Sequence, residues 1–203
     1  MPVAIDPPAR GRPRDPRRRE AILQAAIALV VEVGYDRMTV DALAARAGVS
    51  KPTIYRRWPH GKPEIVVEAI RARRAEAGAL PDTGSLRGDL LAMLGTVVSG
   101  LEEDAHLAGG LISQLRSSTE LAALFREEVI ADERRRYAVL VSRAVARGEL
   151  SAVVPVTPLF ADVAGSVVFT RALIAGDPLD TAFTEELVDR VLLPILNPHS
   201  QGS

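Results

Sequence analysis

Residues 39–58 read TVDALAARAGVSKPTIYRRW, and this stretch decides the fold. Thr39 is of a type that caps helix N-termini, and the apolar residues of VDALAARA recur on one helical face. Gly48 can end that helix, because glycine readily adopts the left-handed conformation found just after helix C-termini. Ser50 can then cap a second short helix, KPTIYRRW, whose Ile54 and Trp58 lie one turn apart and can pack inward. Two short helices joined by AGVS predict a helix-turn-helix motif.

A longer amphipathic helix precedes this motif, and another follows it. Proline at position 16 suits the first turn of a helix, and apolar residues then recur at helical spacing as far as Val33. Gly34 is expected to end this first helix, and a fourth helix is expected from about Lys62 to Gly78. The outward face of the third helix carries hydrogen-bonding side chains at its N-terminus, where a recognition helix meets base edges. We therefore expect residues 15–61 to form a DNA-binding domain.

The charges of the chain are divided unevenly. Over all 203 residues the formal net charge is −1. Residues 1–74 hold 15 Lys and Arg against 8 Asp and Glu, a balance of +7, and residues 75–203 hold 10 against 18, a balance of −8. A basic head and an acidic body indicate that the head faces nucleic acid and that the body has a different function. The alternative is that the uneven charges are only solvated surface and mark no binding site.

A basic arm precedes the first helix. The segment RGRPR, residues 10–14, matches the core of the AT-hook, in which extended arginines lie along narrow A·T-rich minor grooves. The sequence predicts that residues 1–14 are a flexible basic arm whose Arg12 and Arg14 contact the minor groove beside the site read by the third helix. The alternative is an arm that adds only general attraction to phosphates.

The remaining residues predict an all-α body without catalytic chemistry. Residues 62–203 read as long helices separated by loops such as LPDTGS and AGDPLD, with no alternating strand pattern. Nucleophile-elbow, zinc-protease, dinucleotide and P-loop motifs are missing, so we expect no enzyme and no cofactor. The three histidines lack metal-ligand spacing. The chain has no signal-peptide pattern and no apolar run near the roughly 20 residues that span a bilayer, so a cytoplasmic protein without membrane contact is expected.

The segment TVDALAARAGVSKPTIYRRWPHGKPEIV resembles the DNA-binding domain of the TetR family of bacterial one-component repressors. The resemblance implies that Lys51, Pro52 and Thr53 meet bases in the major groove. It implies further residues that grip DNA phosphates or present helix N-termini to them: Thr39, Ser50, Tyr55, Arg56 and Lys62. Arg57 is expected to bind phosphate or to pair with a neighbouring carboxylate, and His60 to be an exposed turn residue or a phosphate contact.

The resemblance also implies the tasks of the body, in which residues 62–203 form a regulatory and dimerisation domain. The last two helices, about 157–175 and 181–196, are expected to pair with their copies in a homodimer, whereas a purely intramolecular core is the alternative. A pocket for a small apolar effector is expected among mostly aliphatic residues: Met93, Leu94, Val97, Leu111, Gln114, Leu115, Tyr137 and Phe169. Gln114, Arg116 and Arg171 are candidate polar anchors for that effector.

These implications predict a transcriptional repressor that leaves a near-palindromic double-stranded DNA operator when a small molecule binds. The alternative is a DNA-binding protein of the same fold without an effector, acting architecturally or under a protein partner. Activation in place of repression is equally compatible with the residues.

Overall fold

The computed structural model describes residues 16–76, 78–103, 105–151 and 157–196, and within those ranges it contains helices and loops but no strand. The predicted all-α class is therefore confirmed. The α-helices run in the order α1 Pro16–Arg37, α2 Val40–Ala47, α3 Lys51–Arg57, α4 Lys62–Glu76, α5 Leu86–Glu103, α6 Ala105–Ser117, α7 Thr119–Phe125, α8 Ala131–Ala146, α9 Pro158–Thr170, α10 Thr181–Leu187 and α11 Leu193–Leu196. Three π-helical turns, Arg126–Ile130, Arg171–Ala175 and Val188–Leu192, join α7 to α8, extend α9 and join α10 to α11.

Helices α1 to α4 form the basic head around one apolar core. The inward face of α1 is buried from Ile22 to Val30, and it packs against α2 and α4. Gly34 interrupts α1 at φ 82° and ψ 157°, a conformation that glycine tolerates and other residues rarely adopt. Tyr35 follows that interruption and is buried in the same core. The expected end of helix one at Gly34 thus corresponds to a real break, after which Tyr35 turns inward.

Helices from the body complete the core of the head. Leu107 and Leu111 of α6, Leu121 of α7 and Val129 of the following π-helical turn are buried in the same cluster as the apolar residues of α1, α2 and α4. Helix α6 packs along α1, and α7 packs along α4. Without these four side chains, apolar surface of the head would be exposed to water. Head and body therefore share one continuous hydrophobic core where they meet.

The rest of the body has a second apolar core. Helices α5, α8, α9 and α10 and the π-helical turn after α10 surround it, and its largest buried side chains include Tyr137 and Phe160. The rings of those two residues meet edge to face, with centroids 5.5 Å apart and an interplanar angle of 88°, a favoured aromatic arrangement.

A buried carboxylate fastens the start of α5 to the end of α8. Asp89 is fully buried and accepts hydrogen bonds from the Thr83 backbone N–H at 2.6 Å, from the Thr83 hydroxyl at 2.8 Å and from Arg147 at 3.0 Å. Burial raises the pKa of Asp89, but the hydrogen bonds from Thr83 and Arg147 outweigh burial and leave this pKa below its ordinary value. Glu149 accepts from the Leu86 N–H at 2.7 Å, which satisfies one of the free amides at the N-terminus of α5.

One described stretch, Pro158–Ala175, is long and apolar enough to cross a membrane by length and composition alone. The expectation that no such run exists is therefore wrong for this helix, because aliphatic neighbours outweigh Asp162 and Arg171 in its average hydropathy. Only 22% of the stretch lies buried. Its buried residues, which include Phe160 and Val168, attach one side to the body core, and the opposite side exposes apolar surface.

Candidate DNA-binding surface

Helix α2 begins and ends as its sequence predicts. The Thr39 hydroxyl accepts a hydrogen bond from the Ala42 N–H at 3.1 Å, which satisfies one of the free amides of the first turn. Gly48 lies in the left-handed region at φ 64° and ψ 35°, and the Val49 N–H reaches the Ala44 carbonyl at 3.0 Å. These bonds close the last turn of α2 and redirect the chain into α3 within three residues.

Helix α3 starts after Ser50, as expected, but the Ser50 side chain does not cap a backbone amide. Its hydroxyl lies 2.9 Å from the Thr53 hydroxyl, and the Ser50 carbonyl accepts the Thr53 N–H at 2.9 Å. The predicted side-chain cap is wrong because that hydroxyl is engaged with Thr53. The expectation that Ser50 and Thr39 stand at helix N-termini holds for their positions.

Two fully buried side chains anchor α3 to the head. Ile54 and Trp58 both have no exposed surface, as their spacing of one turn predicts. Their burial turns the opposite side of the helix outward, where Lys51, Pro52 and Arg56 are exposed and 48% of Tyr55 is exposed. Rigid attachment on one side and a basic, hydrogen-bonding surface on the other are what a recognition helix needs.

Lys51 and Arg57 carry positive charge that the head partly neutralises. The Lys51 ammonium pairs with the Asp41 carboxylate of α2, and both side chains are mostly exposed. The Arg57 guanidinium lies 3.8 Å from the Glu68 carboxylate and 5.2 Å from the centroid of the Trp58 ring. Of the two alternatives for Arg57, the structure shows the pairing with a carboxylate, and its contact with phosphate stays a prediction.

Glu68 of α4 is the residue that the sequence analysis missed. Its carboxylate accepts from Arg19 of α1 at 2.6 Å and from the indole N–H of Trp58, in addition to the weaker approach of Arg57. One side chain therefore joins α1, α4 and the end of α3. Its isolation among the apolar residues of IVVEAI in a basic head was the signal that could have revealed it.

Lys62 and His60 contact the protein in ways that the sequence did not predict. The Lys62 ammonium donates to the Tyr35 carbonyl at 2.9 Å and lies 4.1 Å from the centroid of the Tyr35 ring. Partial burial lowers the pKa of Lys62 below its ordinary value. His60 is exposed, and its Nδ1 lies 3.7 Å from the Glu120 carboxylate of α7. Their phosphate contacts stay predictions, and those of Arg12 and Arg14 fall outside the described residues.

Comparison with known families assigns the two parts of the chain. Residues 22–69 match the family model described as bacterial regulatory proteins, tetR family. Residues 80–191, more than half of the chain, match the model described as tetracyclin repressor-like, C-terminal domain.

The chain belongs to the TetR family.

Individual relatives agree with this assignment. The DNA-binding transcriptional repressor TetR of Mycobacteroides abscessus is 36% identical over 187 residues, which cover 91% of this chain and 97% of the relative. The HTH-type transcriptional regulator Rv1556 of Mycobacterium tuberculosis is 32% identical over 191 residues, which cover 94% of this chain and 93% of the relative. The crystal structure of the TetR family transcription regulator SCO0332 matches with a TM-score of 0.71 and 29% sequence identity. The match covers 87% of this chain and 97% of the SCO0332 chain. This TetR-family chain is thus a helix-turn-helix transcriptional regulator that binds DNA, and its family is not enzymatic.

The residues expected to line an effector pocket of this TetR-family protein do not lie together. Met93, Leu94 and Tyr137 are buried in the body core, and Val97 packs against them. Leu111 is instead buried in the core of the head, and Leu115 packs against that core. The prediction of one shared lining is wrong, because helical periodicity identifies an inward face without identifying the core that the face enters.

Four polar or aromatic candidates for the same pocket are also placed elsewhere. Gln114 donates to the Asp36 carboxylate of the head at 2.6 Å, so it bridges head and body. Phe169 is 37% exposed on the surface of α9. Arg171 donates to the Pro178 carbonyl at 2.8 Å, and its guanidinium carbon lies 4.5 Å from the centroid of the Phe183 ring. Arg116, the remaining anchor, is exposed at the end of α6.

Proposed function

We propose that this TetR-family regulator is a repressor that binds a near-palindromic operator as a homodimer and leaves it when a small apolar molecule enters the body. The observation that carries the proposal concerns α3. Its buried side chains anchor it to the head, and its opposite side exposes Lys51, Pro52, Tyr55 and Arg56. A relative that is named a DNA-binding transcriptional repressor supports the direction of regulation. Because its operator lies in the cell, we expect the protein to be intracellular.

Different residues of the head are predicted to contact the bases and the phosphates of the DNA. Lys51, Pro52 and Thr53 lie in the first turn of α3, where side chains of a recognition helix reach base edges. Pro52 offers only apolar contact, which suits a thymine methyl group. Tyr55 and Arg56 lie further along the exposed surface and can bind phosphates, which sets the register of the helix in the groove.

The exposed apolar side of the last helices supports the homodimer. Leu159 of α9 is 67% exposed, Ile174 in the π-helical turn after α9 is 81% exposed, and Ile195 of α11 is 45% exposed. Apolar side chains concentrated on two helices mark a surface that another apolar surface covers. A second copy of the chain covers it with matching chemistry, and a two-fold dimer would present two recognition helices to two successive major grooves.

An effector would enter the body core around Met93, Leu94, Val97 and Tyr137. These side chains belong to helices α5 and α8, which pack against each other, and all four are apolar apart from the tyrosine hydroxyl. Such a lining selects an apolar ligand by shape, with few polar groups to orient it. Leu111, Gln114 and Leu115 are omitted from this proposal because they contact the head.

The experiment that tests the proposal selects genomic DNA fragments of the organism that encodes the protein, at one stated near-physiological salt concentration. We expect the retained fragments to share a near-palindrome whose half-sites are about one helical turn apart. Retention without a shared motif, lost as salt rises, would show phosphate attraction alone and contradict specific repression. Transcription from the selected operator with and without protein then distinguishes repression from activation.

The effector is tested separately on the selected operator. Compounds are screened for those that raise the melting temperature of the free protein, and each is then added to the protein–operator complex. An effector must favour the non-binding geometry by about 1.4 kcal/mol for each tenfold loss of operator affinity. If every stabilising compound leaves the operator affinity unchanged, the protein acts without a small-molecule effector.

A further inference from the structure

A groove of about 510 Å³ lies on the head between α1 and α4. Its apolar lining comes from both helices: Leu23, Ile27, Ala28, Val31, Ala69 and Ala72. Val31 is 44% exposed, so a large aliphatic side chain of the head is in contact with water. An exposed apolar surface that polar side chains surround is typical of an interaction site.

The charged residues of this groove are mainly acidic. They are Glu20, Glu32, Glu76 and Arg73. Arg46 of α2 neutralises Glu32, whereas Glu20 accepts a hydrogen bond from the uncharged Gln24 at 2.9 Å. Glu76 lies at the C-terminal end of α4, where the helix dipole adds negative potential. The groove therefore suits a segment that combines apolar side chains with positive charge.

The N-terminal arm of the same chain has this combination. Residues 1–14 read MPVAIDPPARGRPR, in which the apolar run 3–5 precedes three arginines and only one carboxylate is present. The arm lies outside the described residues, and its order and composition come from the sequence. The body of a second copy, residues 75–203, has a charge balance of −8 and would be repelled by an acidic groove. The arm is therefore the occupant whose charge and apolar side chains both match.

The arm is long enough to reach the groove. Ile5 precedes Pro16, the first residue of α1, by 11 residues, which span up to about 36 Å when extended. Val31 lies 15 residues after Pro16, which corresponds to about 22 Å along the helix. Because arm and groove belong to one chain, the effective concentration of the arm is in the millimolar range, and a weak contact suffices to hold it.

We propose that residues 1–14 bind back into the groove between α1 and α4 when the protein is free of DNA, with residues 3–5 on Val31 and the arginines beside the glutamates. Arg12 and Arg14, which are predicted to enter the minor groove, are then held away from DNA. The contact therefore opposes operator binding until the duplex displaces the arm. This competition rests on the proposed function, whereas the contact itself does not.

Disulfide formation tests the contact, because the chain contains no cysteine that could interfere. The full-length Ile5→Cys/Val31→Cys variant is compared with Ile5→Cys/Val139→Cys, whose second site on α8 is 42% exposed. We expect the first pair to form about tenfold faster, the ratio that a docking free energy of about 1.4 kcal/mol produces. Glu76→Lys should reduce this ratio, and Glu127→Lys, the same charge change at an exposed glutamate of the body, should preserve it. Equal rates for the two pairs, or a product that migrates as a covalent dimer, would overturn the intramolecular contact.

Operator affinity tests the competition. Val31→Ser removes the exposed aliphatic side chain of the groove without a change in charge, and Val139→Ser makes the same change on α8. If the docked arm leaves about a tenth of the protein competent, its release by Val31→Ser strengthens operator binding by up to about tenfold, and Val139→Ser binds as the wild type does. Equal affinities of the two serine variants would refute the competition. Absence of any preferred motif for the wild-type protein would instead contradict the proposed function and leave the disulfide rates as the test of the contact, so the two failures are distinguishable.

Discussion

Replacement of Glu68 by alanine tests whether one carboxylate holds the recognition helix in place. The variant removes the acceptor of the Trp58 indole N–H, and Trp58 is fully buried. A buried donor left without a partner costs about 1–3 kcal/mol. The variant also removes the ion pair with Arg19, whose contribution is below about 1 kcal/mol because the two side chains are 33% and 28% exposed. We therefore expect the free energy of unfolding to fall by about 2–3 kcal/mol.

The matched control is Glu32→Ala. Glu32 is also a helical glutamate of the head and forms a two-pronged pair with Arg46 at 2.5 and 2.6 Å. Because both partners are largely exposed, at 51% and 39%, this pair contributes little. The gain in helix propensity from glutamate to alanine is the same in both variants and cancels in their difference. The Glu68→Gln variant keeps an acceptor for the indole and should fall between the two.

Urea denaturation followed by circular dichroism at 222 nm, at one fixed protein concentration, measures the three variants. Operator affinity is measured in parallel, well below the melting temperature. We expect Glu68→Ala to weaken operator binding more than Glu32→Ala, since only Glu68 contacts the end of α3. If the two alanine variants lose equal stability and equal affinity, Glu68 does not position the recognition helix.

Three further predictions concern the body, the dimer and the start of α4. Replacement of Asp89 by alanine should lower the free energy of unfolding by about 2 kcal/mol, because the variant removes the hydrogen bonds that Thr83 and Arg147 donate to this charged group. Because the folded-state pKa of Asp89 lies below its ordinary value of about 3.9, its stabilisation is complete above that value and is lost as pH falls through the folded-state pKa. Between about pH 6 and pH 3 the free energy of unfolding should thus decrease less for the variant than for the wild type. Equal decreases in this free energy would contradict the role of Asp89. Ile174→Asp should produce a monomer in sedimentation velocity, whereas Val139→Asp on α8 should remain dimeric; two dimers would exclude the proposed interface. Lys62→Met should lower the free energy of unfolding by about 1 kcal/mol through loss of its bond to Tyr35, and it should lower the salt slope of operator binding by about 1 because Lys62 is predicted to bind a phosphate; an unchanged slope would contradict that contact.

Local features of the head were predictable because they depend on residues close together in the chain. The cap at Thr39 and the turn at Gly48 follow from backbone preferences of single residues, and the burial of Ile54 and Trp58 follows from their spacing. The Ser50 hydroxyl was predicted wrongly because two acceptable partners, a backbone amide and the Thr53 hydroxyl, lie within reach of it. Sequence alone does not rank partners of similar energy.

Partners distant in the chain were not predictable in the same way. Glu68 meets Arg19 across 49 residues, and Gln114 meets Asp36 across 78 residues. Nothing in the local pattern of AGGLISQLRS indicates that its apolar face enters the core of the head and not that of the body. The pocket prediction failed at this point, because assignment of an apolar helical face to one of two cores requires the relative placement of the helices.

The shared core between head and body constrains any signal that passes from an effector to DNA. Helix α6 contributes Leu107 and Leu111 to the head core, and Gln114 at its C-terminal end bonds to Asp36. A displacement of α6 must therefore either carry α1 with it or expose apolar surface at a cost of about 25 cal/mol for each Å². Helix α4 is held on its other side by the ion pairs of Arg71 with Glu128 and of Arg74 with Glu133, both near the π-helical turn after α7. Within the described residues, α1 and α4 therefore both tie the head to the body, and we expect a change that moves α6 and the α7–α8 junction together to reorient the recognition helix while its core stays intact.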